Sequence, residues 1–404
     1  MNFFETIVIG AGLTGLTIGS LLTEKNREFV ILESDNKIGG RVKTEKFNDE
    51  FLDVGFHVLF ENYPNFKNFH GIKKIPKQYF KSGFKIKVQE KFYKVLNPLR
   101  HPFGFLINNH FPGFSNKDRL LLLKLLLDKK ILTCKNIEVI NFLQNYGFSS
   151  EFIEYFFRNF FGGVFLNYNL SVPMEYFLFI FKMFAFEKVS VPKEGIQTVA
   201  QTLSKGITKN SILPNSKVRK ILNNQLETDS GEKYYFKRLV CTDPSIELCM
   251  DSSINSNVFR DITYSSTHCY YYECNVENVD EYLIYLLPDT EEIVNLYFRK
   301  ANSGKYIISI SSMGACTDQS EKKISCEIQK IFPSITNLRL IKKFFIRKAL
   351  PSNSKYFDYK DKSFLKYSKN IYFAGDFLSY PSSNGAIESG MSVVKELIKL
   401  ERSA

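Results

Sequence analysis

The chain has no tryptophan, and its seven cysteines never form a CxxC pair. Cys134, Cys241, Cys249, Cys269, Cys274, Cys316 and Cys326 are scattered and odd in number. That spacing supports neither a zinc site nor a disulfide framework, so the thiols read as reduced, the protein as cytoplasmic, and no metal is expected. No run reaches the roughly 18–20 apolar residues of a membrane-spanning helix. Internal repeats, low-complexity segments and unstructured linkers are missing as well. No leader is expected, because Ile7 already belongs to the first strand. A nucleic-acid recognition motif is lacking too, so the positive charge does not by itself imply a nucleic-acid partner.

What is present is 404 residues, 44% hydrophobic, with a net charge of +12. That length suggests two domains. Lysine dominates the basic residues, and with abundant Asn, Ile and Phe this also fits a nucleotide bias. Residues 73–100 carry nine basic residues and one acid, Glu90. Met174–Phe186 is apolar apart from Glu175 and Lys182, and Leu120–Leu132 is a leucine run broken by charges. A basic, aromatic cap fits a surface peripheral to an anionic membrane. The alternative is a solvated face over an ordinary helical core.

The most informative stretch is residues 7–33. Ile7-Val-Ile-Gly10-Ala-Gly12-Leu13-Thr14-Gly15 leads to Phe29-Val-Ile-Leu-Glu33-Ser34. It reads as strand, glycine turn, helix and second strand. Gly10 permits the tight turn, Gly12 lets backbone approach a pyrophosphate, and Gly15 lets helix and sheet pack closely. The helix N-terminus aims free N–H groups at the phosphates. Glu33 follows at the spacing that suits a ribose diol. This is a dinucleotide site, and only one such fingerprint occurs.

Two further motifs specify FAD. Ile38-Gly39-Gly40-Arg41-Val42 brings bare backbone and a guanidinium to the same pyrophosphate. Near the other end, Asn370-Ile-Tyr-Phe-Ala-Gly375-Asp376 reads as a buried strand. Asn384-Gly385-Ala386-Ile387-Glu388-Ser389-Gly390 then opens a helix running to about Leu400. With one motif at each end, the cofactor domain is discontinuous.

These motifs, with Leu52-Asp53-Val54-Gly55, Val191-Pro-Lys-Glu-Gly195 and Phe373-Ala-Gly375-Asp376 in order, resemble the FAD-dependent amine oxidase and phytoene desaturase superfamily, which includes protoporphyrinogen oxidases. The likeness spans nearly the whole chain. It implies an α/β fold: a Rossmann-like FAD domain with an inserted α+β substrate domain. It also implies that Glu33 holds the adenosine ribose, Arg41 sits by the pyrophosphate, and Val54, Gly55, Phe56 and His57 line the flavin. Val218 would give backbone contacts to adenine, and Asp376 would lie near the ribityl-pyrophosphate. Covalent flavin attachment in amine oxidases uses a cysteine in the C-terminal motif. Phe373–Tyr380 has none, so FAD is expected to bind noncovalently. Asn97-Pro-Leu-Arg100-His-Pro and Phe157–Gly163 resemble a bacterial and plastid subset.

The expected FAD domain comprises residues 1–70, 191–262 and 346–404. The substrate domain comprises 71–190 and 263–345. Tyr79–Val95 alternates like short strands. Helices are expected at about 117–128, 135–146, 149–161, 171–187, 196–205 and 319–331. Strands are expected at Ser216–Asn223, Gln225–Thr228, Lys233–Cys241, His268–Asn275, Ile284–Leu287, Ile293–Arg299 and Lys305–Ser312.

The lack of a second glycine fingerprint argues against NAD(P)H as reductant. The simplest cycle passes hydride from a hydrophobic small molecule, such as a polyene, porphyrinogen or amine, to flavin N5. Reoxidation would use oxygen or a quinone. His57 is the first catalytic candidate and His268 the second; the alternative for each is a structural histidine. Tyr270 and Tyr272 share one strand face and Tyr271 the other. Phe156, Phe157, Phe160 and Phe161 cluster about Arg158, and Phe377 and Tyr380 are placed to sit over the flavin ring. Two other readings stay open. One is a flavin-dependent isomerase without net redox change, since Gly55-Phe-His57 loosely resembles the Gly-Pro-His turn of UDP-galactopyranose mutase. The other is a non-catalytic flavin-binding redox partner.

Overall fold

The computed structural model describes residues 2–108, 111–127, 137–290, 292–313, 318–352 and 362–402. Cys134, Cys316 and the end of the leucine run at 128–132 fall outside them, as do the first residues of the expected 135–146 helix.

The chain opens with β1 (Asn2–Ile9), α1 (Leu13–Glu24) and β2 (Phe29–Leu32). The hairpin β3 (Thr44–Phe47) and β4 (Glu50–Asp53) follows, then β5 (Leu59–Phe60), β6 (Lys77–Tyr79), β7 (Phe84–Val88) and β8 (Lys91–Val95). A helical cap comes next: α2 (Pro102–Asn108), α3 (Asn116–Leu127), α4 (Val139–Tyr146), a helical stretch from Ser150 to Phe165, and α5 (Met174–Phe186). The chain returns through β9 (Val189–Pro192), α6 (Gln197–Ser204), β10 (Ile212–Leu213), β11 (Val218–Ile221), β12 (Gln225–Thr228) and β13 (Lys233–Cys241). It then builds β14 (Tyr264–Asn275), β15 (Ile284–Leu286), β16 (Asn295–Lys300), β17 (Tyr306–Met313), α7 (Asp318–Ile331) and β18 (Thr336–Pro351). It closes with β19 (Phe364–Lys366), β20 (Ile371–Ala374) and α8 (Ser383–Arg402).

Two sheets dominate. The first runs β10-β2-β1-β13-β12-β11, with β20 beside β13 and β19 beyond it. Its central pairs β2–β1, β1–β13 and β13–β20 are parallel, and their strands are apolar because helices cover them. The second runs β18-β14-β17-β16-β15-β7-β8. Its β15–β7 pair is parallel, so strands from residues 84–95 and 264–351 share one sheet.

Two elements depart from expectation. The sixteen-residue β18 lies outside the expected strands. It pairs with β14 through several register shifts up to Pro351. Most of its side chains are exposed or half-buried, so it lacks the apolar alternation that marks a strand. The second departure is the helix expected at 149–161. It is an α-turn only at Ser150–Phe152 and then a π-helix over Ile153–Phe161. The wider turn lets Phe156, Phe157, Phe160 and Phe161 all enter one aromatic cluster.

Candidate functional site

The glycine turn after β1 is locked from three sides. Gly10 has φ +102°, and a Cβ there would lie 2.4 Å from Thr242 Oγ1. That hydroxyl donates to the Ile9 carbonyl at 2.7 Å. A Cβ on Gly15 would fall 1.9 Å from the Gly10 carbonyl oxygen. Both glycines are therefore required by the protein itself.

Gly12 is different. Its φ is an ordinary −74°. A Cβ on it would touch only Gly40 Cα, at 3.9 Å. Nothing within the chain demands glycine there, which fits backbone left bare for a ligand. The second glycine turn lies alongside: Gly39 N–H donates to the Ala11 carbonyl at 2.9 Å. Gly39 and Gly40 both have positive φ.

Glu33 sits at the mouth of this cradle and is buried. Its Oε2 accepts from Ala11 N–H at 2.6 Å, and its Oε1 from Asp35 N–H at 2.9 Å and Ser34 Oγ at 3.2 Å. The Ser216 N–H donates to the Glu33 carbonyl at 2.7 Å, which brings the chain leading to Val218 to the same end.

Two helix N-termini converge on the turns. Thr14 Oγ1, in the first turn of α1, donates to the Ala386 carbonyl of α8 at 2.9 Å. Gly390 packs beneath, where a Cβ would lie 2.9 Å from the Thr14 carbonyl. Gly385 is pressed against the Tyr380 carbonyl, and Ile387 is fully buried. Such paired N-termini favour negative charge. Arg41 reaches Asp376 with both terminal guanidinium nitrogens, Nη1 to Oδ2 at 2.8 Å and Nη2 to Oδ1 at 2.5 Å. Gly375, before Asp376, donates its N–H to Ser389 Oγ at 2.7 Å.

Beyond the cradle lies the Asp53–His57 segment. The Asp53 Oδ1 accepts from Thr44 Oγ1 at 2.7 Å and Ile196 N–H at 2.8 Å. Gly195, with φ +83°, closes over it, and a Cβ there would lie 2.7 Å from Oδ1. Burial raises the Asp53 pKa against the pull of His57. Burial lowers the His57 pKa against the pull of Asp53. His57 Nε2 lies 3.2 Å from the Val54 carbonyl. A carbonyl only accepts, so Nε2 carries hydrogen and the neutral ring keeps its lone pair on Nδ1.

His268 is not brought to this segment. It shares a face of β14 with Tyr270 and Tyr272, which pack in the core beneath α7, and it stacks on Phe345 at 4.4 Å. Tyr271, on the other face, is the tyrosine that reaches across, donating to the Asp53 carbonyl at 2.9 Å. Phe377, expected over the flavin ring, is 1% exposed and packs edge-on to Phe259 inside the first sheet's core. Tyr380 stacks on Tyr176 and Phe179 of the cap. Phe156, Phe160 and Phe161 line an apolar cavity of about 120 Å³ between the cap and β7–β8. Phe157 is core and Arg158 ion-pairs with Glu154. A second, polar cavity of about 420 Å³ lies behind Asp53, walled by Tyr271, Tyr297 and Arg299. Thr242 and Asp53 were not singled out as site residues. The signal available was their place at strand ends, beside β1 for Thr242 and before Gly55 for Asp53.

Residues 13–248 match the family described as flavin containing amine oxidoreductase. The chain belongs to that family. Among curated relatives, the 15-cis-phytoene desaturase of Narcissus pseudonarcissus is 35% identical over 68 residues. That match covers 17% of this chain and only 12% of the desaturase. An oxidoreductase from Methanosarcina mazei has the same fold with a TM-score of 0.74, at 18% identity over 97% of this chain and 100% of that one. A CLA-producing fatty acid isomerase from P. acnes follows at 0.72, 15% identity, 97% and 98% coverage. At such identities the structural likeness shows fold alone, and it spans both redox and isomerase enzymes. The cradle of this amine oxidoreductase-family chain fits a flavin cofactor: backbone is bare at Gly12, where the α1 and α8 N-termini meet, and Arg41 is held by Asp376, just ahead of α8.

Proposed function

We propose that this family member binds FAD noncovalently and oxidises an apolar small molecule. The observation that carries the reading is Gly12, a glycine the protein's own packing does not need, at the meeting point of two glycine turns and two helix N-termini. Glu33 would hold the adenosine ribose, Arg41 and the α1 and α8 N-termini the pyrophosphate, and the Gly55–His57 segment the flavin ring. When bound, the flavin supplies the hydride-accepting chemistry. The protein orients the substrate, excludes water through the phenylalanine-lined cavity, and offers His57 Nδ1 as a basic atom on the Gly55–His57 segment. Oxygen or a quinone is the proposed acceptor.

The apolar cavity opens beside Asn97, Arg100 and Glu187. In the same segments Leu99, Phe103, Leu120, Leu127 and Phe186 are exposed, Phe103 by 80%. With the basic excess of residues 73–100, this makes an anionic membrane surface the proposed route for an apolar substrate.

Acid precipitation should release all the yellow colour as FAD; colour retained in the pellet refutes noncovalent binding. Anaerobic mixing with NADH or NADPH should leave the flavin oxidised over seconds, and rapid bleaching would reverse the proposed electron flow. Turnover seen only after prior flavin reduction, without substrate oxidation, would establish the isomerase reading instead.

A further inference from the structure

Asn295 opens β16 and is nine-tenths buried, with 9% of its surface exposed. Its Oδ1 is fully enclosed and accepts no hydrogen bond. An enclosed amide oxygen without a donor is costly, and in a native protein it calls for an explanation such as a ligand or a water.

Its position points to a ligand. Asn295 and Tyr297 project from the same face of β16. Tyr297 meets Phe56 of the Gly55–His57 segment edge-on, with ring centroids 5.6 Å apart. It also meets Phe80, at 5.1 Å, which lines the apolar cavity. Across the sheet, Asn295 pairs with Leu286, and Ile284, on the same face two residues earlier, lines that cavity too. Asn295 thus shares a sheet face with Ile284, which lines the apolar cavity, and with Tyr297, which meets the segment assigned to the flavin. Gly163 keeps its flank clear: a Cβ there would lie 2.6 Å from Val294 Cγ1 and 3.2 Å from Asn295 Nδ2.

We propose that Asn295 determines specificity by accepting a hydrogen bond from a neutral hydroxyl carried near the reacting carbon of an otherwise apolar substrate. The inference rests on the flavin-dependent oxidation proposed above and narrows its substrate class. A hydroxyl suits the site better than an ammonium, because the cross-strand neighbours Leu286 and Ser311 are neutral and a cation would have to shed its water. A pure hydrocarbon would leave the amide oxygen unpaired, and sites built to hydrogen-bond a substrate hydroxyl reject analogues that lack it.

The test uses the flavin-loaded protein with 1-octanol, octylamine and octane as probes, read by thermal shift and by perturbation of the flavin absorption band. Octanol should bind at least tenfold more tightly than octane and more tightly than octylamine. Asn295→Leu, of similar size, should erase the preference while raising the melting temperature of the unliganded protein, because the orphaned acceptor is gone. Asn295→Ala, which cannot overpack the site, should erase the preference as well. Equal binding of octane and octanol, tighter binding of octylamine, or a preference that survives both substitutions would overturn the proposal. A lower melting temperature for Asn295→Leu would also overturn it, by showing that the amide is already satisfied. A colourless protein would sink the flavin reading, whereas a yellow protein without the alcohol preference sinks this inference alone.

Discussion

Asp53 and His57 are pushed in opposite directions by one cause. Removal from water disfavours both charged forms, so the carboxyl gains proton affinity and the imidazole loses it. Each partly offsets the other's shift. Asp53→Asn removes the negative charge that props up His57, so the His57 pKa should fall further below the ordinary histidine value. Labelled-histidine NMR can follow this, because the chain has only five histidines. An unchanged His57 titration would show that the two groups do not interact. The sign for stability is equally definite. A carboxyl with a raised folded pKa costs stability above its unfolded pKa, and the carboxamide escapes that cost while keeping an oxygen for Thr44 and Ile196. Asp53→Asn should therefore match or exceed the parent in thermal stability at pH 7 and lose that advantage toward pH 4.

At the scale of elements, the glycines of the cradle divide by what they face. Gly12 meets only Gly40 Cα, at ordinary van der Waals distance, and Gly390 faces the backbone of α1. Gly12→Val should therefore keep the melting temperature close to that of the parent apoprotein and empty the flavin site. Gly390→Val should force α1 and α8 apart and cost about 1–3 kcal/mol, the usual penalty of overpacking, in denaturant unfolding. The reverse pattern would show that the pyrophosphate does not lie over Gly12. The same element pair shows what sequence patterns can carry. The Gly10–Gly15 spacing announced α1 and its neighbours, because a phosphate-binding turn needs bare backbone at fixed offsets. The π-helix at Ile153–Phe161 and the strand β18 had no such signature. The first differs from an α-helix only in its hydrogen-bond partner, and the second is held by its neighbour β14 rather than by its own apolar pattern.

At the scale of the molecule, the basic excess of residues 73–100 is followed in the chain by exposed apolar side chains at Phe103, Leu120 and Leu127 of the cap. Among the described residues no helix is long and apolar enough to cross a bilayer. The proposed attachment is therefore peripheral. Each basic side chain near an anionic leaflet contributes about 1 kcal/mol, so a handful suffices for reversible binding. The protein should float with phosphatidylserine-containing liposomes at low salt and release near 1 M salt, where the screening length shrinks to about 3 Å. Phe103→Glu, at an exposed position, should weaken flotation without changing thermal stability. Flotation that ignores lipid charge, salt and this substitution would leave the basic cap as composition alone.

The sequence by itself determined the glycine turns after β1 and β2, the α/β class and the buried strand β20 near the far end that joins the first sheet. Those features are written in local spacing: glycines at a turn, an acid at a strand end, small residues at a helix start. Only the tertiary structure decided which side chains meet. It sent His268 to the helix-covered face of β14 and turned Tyr271, not Tyr270 or Tyr272, toward Asp53. It folded Phe377 into the core and left the Asn295 oxygen without a partner. Strand alternation fixes which residues share a face, but which face looks at the Gly55–His57 segment depends on how the second sheet docks on the first. That docking is set by contacts between residues hundreds of positions apart, where no local pattern reaches.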